Sequence, residues 1–88
     1  MLDITKLKTG DTYYYMLTDS IHIFTITSEF KEKGFGYHRW SYYSSGKTVK
    51  DENKTMSSDK WRGSNFQKYA MNINEARLQR PAFWVIFN

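Results

Sequence analysis

Between residues 12 and 43 the chain has no room for a helix, and this limits its fold more than any other feature of the sequence. Residues 12–17 read Thr-Tyr-Tyr-Tyr-Met-Leu, residues 21–30 are rich in Ile, Thr and Phe, and residues 35–43 again mix aromatic and small residues. All three have the β-branched and aromatic composition of strands. The connectors, Thr18-Asp19-Ser20 and Lys31-Glu32-Lys33-Gly34, suit hairpin turns. In the longest run, Ile21, Ile23, Thr25 and Thr27 fall on one face and His22, Phe24, Ile26, Ser28 and Phe30 on the other. Tyr13 and Tyr15 share one face of the first run, Tyr14 and Met16 the other, so either both sides are covered or one is a working aromatic surface. A three-stranded antiparallel meander follows, and such a sheet needs a cover on its apolar face.

The flanking segments are less regular. Leu2, Ile4 and Leu7 sit among polar residues ahead of a Thr9-Gly10-Asp11 turn signal. Residues 44–60 hold only Val49 and Met56 as clearly apolar residues, and Lys47, Lys50, Lys54 and Lys60 nearly balance Asp51, Glu52 and Asp59. A polar loop, with at most a short strand at 47–50, is the expectation there. Asn72 followed by Glu75 forms a capping-box pattern, which predicts a short helix over residues 73–79 with Pro81 as its stop. Residues 82–87, Ala-Phe-Trp-Val-Ile-Phe, are apolar on both faces and read as a covered strand closing the sheet. The order predicts a mainly β chain, α+β at most: a small, strongly bent antiparallel sheet or SH3- or OB-like barrel with one short helix near the C-terminus.

Eighty-eight residues make a single domain. The chain has no cysteine, which removes disulfides and thiolate metal sites and points to a reducing, intracellular (cytoplasmic) setting. No apolar run approaches the roughly 20 residues of a membrane span, and the amino-terminal Met1-Leu2-Asp3 lacks the plan of a signal peptide. No cofactor is implied. The sixteen Phe, Tyr and Trp residues are more than a surface needs, so most must build a core. Charge is uneven: residues 1–30 carry two lysines against four acids, whereas residues 31–88 carry eleven Lys and Arg against five acids, or −2 and +6. A cationic region beginning at residue 31 favours a polyanionic partner.

That region opens on Lys33-Gly34-Phe35-Gly36-Tyr37-His38-Arg39-Trp40. If it is extended, Lys33, Phe35, Tyr37 and Arg39 share one face, and Gly34, Gly36, His38 and Trp40 the other. The octapeptide resembles the RNP1 motif of RRM domains, and cold-shock domains carry a similar run. The resemblance implies that Phe35 and Tyr37 stack on bases while Lys33 meets phosphate. It covers eight of 88 residues. His38 stands where the family places an aliphatic residue, and the RRM order needs a helix that residues 18–20 cannot hold. A glycine-bearing hairpin with its rings turned inward accounts for the same residues.

A second stretch, residues 60–69, alternates cations and rings around Gly63, as single-strand-binding surfaces do; Trp61, Phe66 and Tyr69 serve equally as anchors to the core. The expected function is therefore non-catalytic binding of RNA or single-stranded DNA. Its site comprises Lys31, Lys33, Phe35, Tyr37, Arg39, Lys60, Trp61, Arg62 and Lys68. The alternative is a small inhibitor or regulator of the kind viruses and mobile elements encode, binding a host protein through Tyr and Trp anchors or through shared RNA. Exposed strand edges offer a route to a homodimer. A metal-independent ribonuclease built on His22 and His38 with Arg39 or a tyrosine is the enzymatic alternative.

Overall fold

The computed structural model describes residues 2–79. Four antiparallel strands follow one another in space as in sequence: β1 (Thr12–Leu17), β2 (Ser20–Lys31), β3 (Gly34–Tyr43) and β4 (Thr48–Ser57). A 3-10 turn, Ile4–Lys6, precedes them, and three short helices follow: α1 (Ser58–Trp61), α2 (Asn65–Tyr69) and α3 (Ile73–Gln79). This small mixed α/β domain corrects the expectation of a mainly β, strongly bent sheet or barrel with one helix. A barrel bonds its first strand to its last, whereas here β1 and β4 lie at opposite edges, and the sheet is neither closed nor strongly curled.

The hairpins form where the sequence places them. Leu17 pairs with Ser20 across a two-residue turn, and Lys31 pairs with Gly34 across a turn in which Glu32 adopts φ +38°. Residues 48–57, expected as loop with at most a short strand at 47–50, are strand β4, entered through Gly46 at φ +93° and broken opposite Tyr37 and Arg39 by a bulge near Asn53, which has φ +52°. As an edge strand, β4 exposes most of its side chains and so needs no apolar alternation.

Register sorts the side chains into two faces. The inner face carries Tyr13, Tyr15 and Leu17 from β1, His22, Phe24 and Ile26 from β2, and Phe35, Tyr37, Arg39 and Ser41 from β3. Helices α1 and α2 lie across one end of it. Each is too short to persist alone, and each is capped by a serine: Ser57 Oγ accepts from Lys60 N at 3.2 Å, and Ser64 Oγ from Gln67 N at 3.1 Å. Trp61 and Phe66 then join Leu7, Phe24, Ile26, Phe35 and Tyr37 in the main core.

Helix α3 lies on the outer face. Glu75 N donates to Asn72 Oδ1 at 2.9 Å and Asn72 N to Glu75 Oε1 at 3.4 Å, the reciprocal cap its sequence predicts. Ile73 and Ala76 pack with Ile21, Tyr14 and Met16, while Met71 bridges to Tyr14 along the edge of β1. The expected strand at 82–87 lies outside the described residues. Among the described residues, no helix is long and apolar enough to cross a membrane.

Candidate nucleic-acid interface

The octapeptide lies on β3, but its rings face inward. Phe35 is 1 % exposed and Tyr37 8 %. Trp61 meets Phe35 edge-on at 5.5 Å between centroids, and Phe66 stands 5.6 Å from Phe35 and 5.8 Å from Tyr37. With those faces taken by core rings, neither side chain offers a base a surface, which corrects their placement in a stacking platform. Burial also raises the Tyr37 hydroxyl above its ordinary value. Trp61 is likewise a core anchor, not a flanking contact.

The glycines have a structural cause as well. A Cβ on Gly34 would strike the Met56 carbonyl of β4, and one on Gly36 would strike the Ser28 and Thr27 hydroxyls of β2. Ser28 Oγ also accepts the Gly36 N–H at 2.9 Å. The missing side chains make room for neighbouring strands.

The predicted cations separate into groups. Lys31 and Lys33 are exposed at the β2–β3 tip, and Ser58 N donates to Lys33 O at 2.8 Å, which brings the α1 segment with Lys60 and Arg62 to the same end of the sheet. Arg62 is paired with Asp59 at 3.2 Å. Lys68 lies apart on α2, beside a depression lined by Met16, Tyr69 and Met71. Arg39 is on the inner face, bonded to Asp51 at 2.8 Å and donating to Tyr15 OH at 3.2 Å. Burial works against its charge, but the carboxylate and the hydroxyl outweigh this and hold the guanidinium firmly protonated.

The two histidines do not meet. His22 pairs with Ser41 on the inner face, and His38 pairs with Thr25 on the outer. His22 is 4 % exposed, held between Ser20 and Ser41 hydroxyls at 2.8 Å each. Burial and the nearby Arg39 lower its pKa to about 4, against the opposing pull of Asp19.

The open ring on β3 is Trp40, 39 % exposed on the outer face. Ile23 flanks it on β2 and Lys50 on β4, and the Lys50 ammonium lies 4.6 Å from the ring centroid. His38 and Tyr42 share this face, two residues to either side along the strand. Sequence reasoning put Trp40 on the face opposite Phe35 but took the buried face as the open one. The sharper signal was in β2, where Phe24 and Ile26 align with Arg39 and Tyr37 and thereby mark that side as core.

Comparison of the chain with protein-family models, curated proteins and solved structures finds no match in any of the three.

Proposed function

We propose that the protein binds single-stranded nucleic acid, RNA or DNA, on the outer face of β3 and β4, with Trp40 as the stacking ring. The observation that carries this reading is the exposed Trp40 with the Lys50 ammonium 4.6 Å from its centroid, a ring and a cation together on an open sheet face. A base arriving on Trp40 displaces the ammonium, giving up about 0.5–1 kcal/mol of exposed cation–π attraction. It gains about 1–3 kcal/mol of stacking, and the freed ammonium is in reach of the adjoining phosphate. Exposed Lys47 in the preceding turn and the net charge of +4 add long-range attraction.

The test is anisotropy with a fluorescein-labelled single-stranded oligonucleotide. Trp40→Ala is expected to weaken binding about tenfold or more, with an unchanged circular dichroism spectrum, and affinity should fall as salt rises. Wild-type protein that ignores the oligonucleotide at low salt would end this reading. A protein-binding role has its own support in Tyr69, 50 % exposed beside the Met16 and Met71 depression, and in Leu78, 87 % exposed on α3. Purification separates the two: nucleic acid released by a high-salt wash favours the first, and a stoichiometric protein partner the second.

A further inference from the structure

The buried polar end of the inner face joins the β1–β2 turn to β3 through one imidazole. Ser20 Oγ donates to Asp19 Oδ1 at 3.1 Å, so its lone pair is what His22 Nε2 meets at 2.8 Å, and Nε2 carries the ring proton. Nδ1 is then the acceptor for the Ser41 hydroxyl at 2.8 Å. Ser41 is 2 % exposed. A second ring proton, on Nδ1, would turn that bond round, so that Ser41 Oγ accepts and its own proton needs a new acceptor in a buried site, and the new charge would lie facing Arg39.

The surroundings offer little relief. From β1, Tyr15 stacks on the imidazole at 4.5 Å between centroids, and from β3, Tyr43 meets it edge-on at 5.9 Å. Asp19 attracts the new charge from the turn, but it is already engaged by Ser20. Asp51 on β4 is committed to Arg39. Beside the imidazole, Ser44 N donates to Asp19 O at 2.8 Å, so the closure of the turn on β3 can be read at that amide.

We propose that Ser20, His22 and Ser41 form an acid-operated latch, in which protonation of His22 frees the β1–β2 turn from β3 while the end of the sheet under α1 and α2 stays closed. The device is reversible and needs no ligand. It works because the two ends of one face are held by different forces, one by a hydrogen-bonded neutral ring and the other by packed hydrocarbon.

Hydrogen exchange by NMR, corrected for intrinsic rates, tests it on the full chain. On going from pH 7 to pH 4 the Ser44 amide, bonded to Asp19 O, should lose about tenfold or more of its protection. The Ile26 amide, bonded to Asp11 O at 2.9 Å beside the core, should keep its own. In His22→Phe the ring still stacks on Tyr15 but cannot titrate, and the acid response of Ser44 should vanish. If that variant does not fold, Arg39→Gln, which removes the nearby cation, should move the His22 midpoint, and with it the acid response of Ser44, upward from about 4. Simultaneous loss at both amides, an unchanged acid response in His22→Phe, or a wild-type His22 titrating at 6.5 would overturn the latch.

Discussion

The two ends of the inner face are built from the same strands and stabilised in opposite ways. At the end under α1 and α2, Phe24, Ile26, Phe35 and Tyr37 meet Trp61, Phe66 and Leu7, and the stabilisation comes from area removed from water. At the other, Ser20, His22 and Ser41 form one hydrogen-bonded set and Tyr15, Arg39 and Asp51 a second, joined by the stacking of Tyr15 on His22, and their value depends on who holds the protons. The first end should be indifferent to pH and salt. The second should hold only under conditions that keep its imidazole neutral and its ion pair intact.

The largest effect expected is at the apolar end. Phe66→Ala removes the ring that touches Phe24, Phe35 and Tyr37 and should cost about 3–5 kcal/mol, measured by urea denaturation. The loss should be the same at pH 7 and pH 5. A loss that varied with pH would break the distinction between the two ends.

Acid should act on the polar end. His22 is neutral in the fold down to about 4, whereas the unfolded chain takes up that proton near 6.5, so the unfolded state gains protons first. Stability should be full above pH 6.5, decline as the pH falls toward about 4, and level off below it. The decline attributable to this group is on the order of 3 kcal/mol, and it should disappear in His22→Phe. A wild-type curve flat across that window would show that the imidazole is not sealed.

The smallest effect belongs to the partly exposed pair. Asp51→Asn takes the carboxylate from Arg39, whose side chain is 34 % exposed, so water and Tyr15 OH take up part of the loss. About 1 kcal/mol is expected by the same denaturation, shrinking further in high salt. A cost as large as that of Phe66→Ala would mean that this end is as dry and rigid as the other.

Much of the sheet was legible from sequence because its signals are local. The β-branched run in β2, the short turns on either side of it, and the Asn72–Glu75 cap of α3 are properties of neighbouring residues, and each element forms where those residues place it. Strand β4 was hidden because an exposed edge needs no apolar alternation. Helices α1 and α2 were hidden because four or five residues have no helical preference of their own to read, and they persist through their serine caps and the burial of Trp61 and Phe66.

The site was harder, since both faces of β3 carry rings. By itself the sequence determined the hairpin meander, the two-residue alternation that parts Phe35 and Tyr37 from His38 and Trp40, and the net positive charge. Which of those faces meets water was decided only in three dimensions. Trp61 and Phe66, more than twenty residues further along the chain, close over one side of β3, and α3 settles on the β1–β2 part of the other, so that Trp40 stays open. A strand's alternation states that two faces differ, but its inside is set by whatever distant hydrocarbon reaches it first, and no local pattern encodes that.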